Sequence, residues 1–261
     1  MRALARVALL LFAVFIGFAP ANAAASLGVV LLHGKTGSPV QFAKLSAALS
    51  AAGYAVAAPE LCWSKKRIFD KSFADCMKEV DAAVDQLRSG GAMAVVVAGA
   101  SQGAVAALAY GTTRSGLAGI VAMAPAADPT NLAQYPGFAE GLKTANALVK
   151  AGKGDVVTSI KDVVSGNNAA VTTTPNIYLS FHGPDSPVAT IKGMMAKTLP
   201  HLKLPVLWIS GTRDDSQAMA PAAFATIPKN ALSRIVTVDA DHAGTPDVSA
   251  EAMIAWLKTL Q

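Results

Sequence analysis

Charge is scarce in this chain: Asp, Glu, Lys and Arg together make up 15% of its 261 residues, while hydrophobic residues make up 52%. That balance excludes a disordered, solvation-driven segment and is enough to bury a full core. The formal net charge is +5, and removing Arg2 and Arg6 with a leader would leave +3. No basic stripe accompanies it, so a nucleic-acid partner is not expected. Lys65-Lys66-Arg67 is the one tight basic cluster. It reads as a solvated loop, or as a contact for an anionic group on a substrate.

Long apolar runs are also missing. The most continuous one, "VALLLFAVFIGF" (7–18), has 12 residues, against the roughly 20 that span a bilayer. With Arg2 and Arg6 before it and "ANA" (21–23) after it, the run reads as a secretory signal peptide over residues 1–23. The expected protein is exported, periplasmic or secreted, begins near Ala24, and has no membrane span once the leader is cleaved. An uncleaved anchor is the alternative. Cysteine is nearly absent too. Cys62 and Cys76 are expected to pair in an oxidising compartment, two unpaired thiols being the other reading. A bridge closing that 15-residue loop would stabilise by about 3 kcal/mol in the chain-entropy view. No histidine lies between the two cysteines, which argues against zinc. No metal or organic cofactor is expected.

What the chain does have is alternation. Strand-like runs at 27–34, 54–59, 92–99, 117–125, 204–211 and 232–239 are separated by helix-like patterns at 39–53, 73–91, 102–114, 216–226 and 247–260. Continuous Val, Ile and Leu strands between helices predict an α/β fold, with a mostly parallel sheet of about six core strands covered on both faces. Residues 127–203 break the rhythm. They contain a helix-and-turn pattern in "GLKTANALVKAGKGD" (141–155), a polar stretch in "SGNNAAVTTTPN" (165–176) and a short strand and loop in "IYLSFHGPDSP" (177–187). Within a single domain over 24–261, this insertion reads as a cap or lid, or as loops packed on one edge.

The densest chemical signal is "VVVAGASQGAVAALAY" (95–110). Gly99-Ala100-Ser101-Gln102-Gly103 stands between a predicted strand and a predicted helix, the context of a G-x-S-x-G nucleophile elbow. A serine hydroxyl needs a base, and the base an orienting acid. Of the four histidines, His242 follows the last predicted strand, His33 ends the first, and His182 and His201 lie in the insertion. His242 is therefore the expected base. Asp214 in "WISGTRDD" is the expected acid, with Asp215 and Asp128 as alternatives. An oxyanion hole would use the backbone N–H of Gln102 and, from the loop after the first strand, that of Lys35, with Thr36 as its neighbour. His33-Gly34 in that loop also reads as a structural turn.

From "VVLLHG" through "GASQG" and "ISGTRDD" to "DHAGTPD", the chain resembles small exported bacterial members of the α/β-hydrolase superfamily. The resemblance implies a nucleophile, acid and base at Ser101, Asp214 and His242. Two departures stand out: Ala100 occupies a position that is histidine in many relatives, and the family's leading β-hairpin is expected to be missing. The implied activity is a serine hydrolase acting through an acyl-enzyme on a small ester, with thioester and amide as further options. A non-catalytic binding protein on the same scaffold is the rival reading. A peptidase of this fold would be expected to carry a propeller or a larger cap. Trp63, Phe69, Tyr178, Phe181, Met194 and Met195 either line an acyl pocket or simply pack.

Overall fold

The computed structural model describes residues 27–125, 135–164 and 167–261. The expected signal peptide and the alternative acid Asp128 lie outside the described residues. Within them the first half of the chain alternates β1 (Leu27–Leu32), α1 (Ala43–Ala51), β2 (Ala55–Ala57), α2 (Phe73–Ser89), β3 (Ala94–Ala100), α3 (Gln102–Thr113) and β4 (Gly119–Met123). The insertion follows as α4 (Pro136–Lys150), β5 (Thr158–Val164), β6 (Asn167–Thr173), α5 (Pro175–His182) and α6 (Ile191–Lys197). The chain then returns to the core with β7 (Val206–Arg213), α7 (Ala220–Ala225), β8 (Arg234–Asp241), α8 (Thr245–Val248) and α9 (Ala250–Leu257).

Six strands form one sheet in the order β2-β1-β3-β4-β7-β8, every pair parallel. The apolar runs of β1, β3, β4 and the first part of β7 are continuous because both faces are covered, whereas the edge strand β8 exposes most of its residues. Along β1, Leu27, Val29 and Leu31 enter one core with Phe42, Leu45, Met253 and Trp256, while Val30 and Leu32 enter the other with residues of α2 and α3. Helix α2 shows how local signals start such an element. Ser72 accepts from the Asp75 N–H and donates to the Asp75 carboxylate, while Phe73, Cys76, Met77, Val80, Val84 and Leu87 form the buried stripe. Cys62 and Cys76 are joined, which ties the loop after β2 to the first turns of α2.

The insertion departs from the sequence-based expectation in two places. The polar stretch expected over 165–176 supplies strand β6, which pairs antiparallel with β5 from Thr158↔Thr173 to Val164↔Asn167. Its alternation is hard to read because only Val171 and Thr173 face inward and are buried. "IYLSFHGPDSP", expected as strand and loop, instead begins within helix α5. Thr174 accepts from the Ile177 N–H and Pro175 occupies the first turn, a start signal lying just before the quoted segment. Elsewhere the expected helix over 216–226 opens as a 3-10 turn at Asp215–Met219 before α7. The final helix begins at Thr245 and is interrupted at Ser249.

Candidate active site

The turn from β3 into α3 holds Ser101 at φ 54° and ψ −118°, a left-handed backbone that a serine adopts only under constraint. The constraint comes from both sides. A Cβ on Gly99 would sit 2.1 Å from the Gly103 carbonyl oxygen, and one on Gly103 would sit 1.9 Å from that of Leu32. Only glycine lets strand and helix approach this closely. The Ser101 N–H still donates to the Met123 carbonyl at 3.0 Å, so the hydroxyl is presented from the end of a paired central strand.

Asp214 directly follows β7 and His242 directly follows β8. Because these strands run parallel to β3, all three residues leave the sheet at its C-terminal edge. The structure brings them into one hydrogen-bonded line: Ser101 Oγ lies 2.9 Å from His242 Nε2, and His242 Nδ1 lies 2.9 Å from Asp214 Oδ2. The other oxygen, Asp214 Oδ1, accepts from the Ser216 N–H at 2.9 Å. The Asp214 side chain is 3% exposed and that of His242 43%. The hydrogen bond with Asp214 raises the His242 pKa against the opposing pull of burial, with smaller help from the charges of Asp214, Asp241 and Asp215. Burial alone would push the Asp214 carboxyl up, but its bonds to His242 and Ser216 hold it below the ordinary carboxylate range. Asp215, the adjacent alternative, makes no hydrogen bond with His242 and acts on it only as a nearby charge.

The loop after β1 approaches the serine closely. A Cβ built on Gly34 would lie 3.5 Å from Ser101 Cβ. In this loop the Gly34 N–H donates to Gln41 Oε1 (2.8 Å), the Thr36 N–H to the Trp63 carbonyl (2.9 Å) and the Gly37 N–H to the Gly34 carbonyl (3.0 Å). Among the described residues, the Lys35 N–H has no such partner. Across the site, Gln102 is the first residue of α3, where a backbone N–H finds no acceptor within its own helix. Neither amide has an acceptor among the described residues, which leaves both free to donate.

The other histidines do different work. His33 is buried and its pKa is pushed down by that burial. Its Nε2 accepts from the Leu61 N–H (3.1 Å), which leaves Nδ1 to donate to the Gly34 carbonyl (2.9 Å), so the ring is a neutral brace under the loop. His182 is packed among Phe69, Phe138 and Tyr178, and burial followed by the charge of Lys35 keeps it neutral. His201 lies in a short 3-10 turn on the surface.

Of the aromatic and methionine candidates, Trp63, Phe69, Tyr178, Phe181 and Met194 are buried in the main core cluster and Met195 packs against it; they are packing residues. In the basic cluster, Arg67 is held by both Asp70 and Glu79, and Lys66 lies 3.8 Å from Glu60. Asp162, not foreseen, pairs from β5 with the Lys35 ammonium at 2.6 Å. Its signal was available only once β5 was known: on that strand it shares the inward row with Ile160. Among the described residues no cluster of His, Cys, Asp and Glu could hold a metal ion, and no helix is long and apolar enough to cross a membrane.

The fold has many solved counterparts. The monoacylglycerol lipase of Paleococcus ferrophilus superposes with a TM-score of 0.64 at 19% identity, covering 90% of this chain and 95% of that one. Est1E from Butyrivibrio proteoclasticus gives 0.60 at 14%, covering 91% and 89%. A thermophilic esterase from Thermogutta terrifontis gives 0.54 at 22%, covering 90% of each. At these identities the likeness speaks for the fold. No curated protein matches the chain by sequence. A family model described as serine aminopeptidase, S33, matches residues 24–240, and the chain accordingly belongs to that family of α/β-hydrolases.

Proposed function

We propose that the protein is a serine esterase that works through an acyl-enzyme on Ser101. The observation that carries this reading is the hydrogen-bonded line from Ser101 Oγ through His242 to Asp214, 2.9 Å at each step. His242 Nε2 takes the hydroxyl proton as Oγ attacks the ester carbonyl. The resulting oxyanion accepts from the Gln102 and Lys35 N–H groups. His242 returns the proton to the departing alcohol, and a water repeats the sequence to release the acid. Asp214 holds the imidazole in the tautomer with Nε2 free to accept and stabilises the imidazolium.

The family description favours a second reading, hydrolysis of an amide next to a free α-ammonium group. Such a substrate needs an accessible carboxylate to anchor its amine. The acid that the insertion brings towards the loop after β1 is Asp162, fully buried and already neutralised by Lys35. Asp162 cannot serve as that anchor, whereas Asp215 and Asp241 near His242 are exposed, so the arylamide assay decides between the two readings. Arg67 is committed to two carboxylates, which leaves Lys65 as the cation of the cluster for an anionic acyl group. Export through the N-terminal segment accords with the Cys62–Cys76 bridge, and the insertion after β4 serves as a cap.

The test is a panel of neutral p-nitrophenyl esters, thioesters and aminoacyl arylamides assayed with wild type and Ser101→Ala. The expected result is turnover of short esters, lost by at least about 10³-fold in the variant. Arylamide hydrolysis exceeding ester hydrolysis would overturn the reading in favour of a peptidase.

A further inference from the structure

An aspartate in the inward row of a strand requires a partner. The partner of Asp162 is Lys35, the proposed second oxyanion donor, whose backbone N–H has no acceptor among the described residues. Lys35 Nζ meets Asp162 Oδ2 at 2.6 Å, with side-chain exposures of 17% and 0%. The ammonium lies 5.7 Å from the centre of the Phe69 ring and 5.8 Å from that of Phe138. It is thus enclosed by three segments: the loop bridged to α2, helix α4, and strand β5. Asp162 is itself fixed, its Oδ1 accepting from the Val163 N–H at 2.7 Å. The ring of neutral His182 closes the cluster against Phe69 and Phe138.

Surface pairs of this kind fray, because water competes for both charges. A buried pair does not, since separating it strands a charge where water cannot reach. Lys35 is therefore tethered through its side chain, while its neighbours Gly34, Thr36 and Gly37 are tethered through their amides to Gln41, Trp63 and Gly34. The Lys35 N–H is the one amide of this stretch left pointing at no protein acceptor among the described residues.

We propose that Asp162 is a positioning residue for the oxyanion hole: through Lys35, the β5–β6 hairpin of the insertion holds the second oxyanion donor in place. The inference rests on the esterase reading. It makes the insertion a working part of the catalytic frame as well as a cover. An oxyanion donor acts chiefly in the transition state, so its misplacement lowers kcat and leaves ground-state binding alone. A displacement of about 1 Å is enough to cost about 10²-fold.

The experiment compares wild type with Asp162→Asn and with the apolar double variant Lys35→Met/Asp162→Leu. The double variant strands no charge, which keeps the question answerable if Asp162→Asn does not fold. The expected result for both is a kcat lowered about 10- to 100-fold, a KM within about twofold of wild type, and an unchanged acid limb of the pH profile, because His242 and Asp214 are untouched. Hydrogen exchange at the Thr36 and Gly37 amides accelerates while that of β3 does not. A wild-type kcat in either variant, or a loss confined to KM, overturns the inference. If wild type hydrolyses no ester, the esterase reading falls, and the exchange arm still decides the tether: unchanged exchange at Thr36 and Gly37 refutes it.

Discussion

His33, His182 and His242 carry the same ring and differ in what meets it. His33 accepts a backbone N–H with Nε2, and His182 is walled in by aromatic rings. Only His242 has a carboxylate on one nitrogen and the serine on the other. In the proposed mechanism His242 must be neutral to act as general base, and Asp214 raises its pKa, so kcat/KM should rise with pH through an acid limb lying above the ordinary histidine value of about 6.5. In Asp214→Asn that limb should move to lower pH while kcat falls by about 10⁴, measured across a pH series with a neutral ester. The stability linkage runs the opposite way for the two partners. The pairing of protonated His242 contributes fully below about pH 6.5 and is lost as pH rises through its raised pKa. That of Asp214 is present above about pH 3.8 and is lost as pH falls through its lowered one. Glycine is as constrained as the acid and base. Gly103→Ala would put a Cβ 1.9 Å from a backbone oxygen, and should cost at least about 3 kcal/mol in chemical denaturation or prevent folding.

Individual elements differed in how plainly the sequence announced them. The central strands and α2 were legible because each is either continuously apolar or strictly amphipathic, and Ser101 and Asp214 because each directly follows such a strand; the mostly exposed edge strand before His242 was marked instead by its β-branched run. The insertion was harder to read. Strand β6 exposes most of its residues and so lacks an apolar rhythm, and α5 owes its start to Thr174 and Pro175, which lie outside its apolar run. Asp162 was invisible for the same reason: a buried acid can be recognised only against a known strand alternation. Two predictions belong at this scale. Thr174→Ala removes the cap of α5 and should lower stability by about 1 kcal/mol in a urea titration. Replacing Cys62 and Cys76 together with alanine should cost about 3 kcal/mol. Because the bridged loop also supplies the Trp63 contacts to His33 and Thr36, kcat should fall along with stability.

At the scale of the whole molecule, a parallel sheet collects the ends of its strands at one edge, and the chain uses that edge three times. The proposed nucleophile after β3, acid after β7 and base after β8 already meet, since the hydrogen-bonded sheet sets their separation. In the proposed frame the loop after β1 supplies the oxyanion donor, and the insertion after β4 holds it through the Lys35–Asp162 pair. Low charge and small residues suit this plan, because the core must accept a tight strand-to-helix turn without a bulky side chain near it. The most direct measurement is the intact mass of wild type and Ser101→Ala after treatment with a fluorophosphonate, followed by mapping of the labelled peptide. A single adduct on Ser101 is expected in the wild type and none in the variant. A correctly folded wild type that stays unlabelled, or an adduct on any other residue, would contradict the assignment of Ser101 as nucleophile.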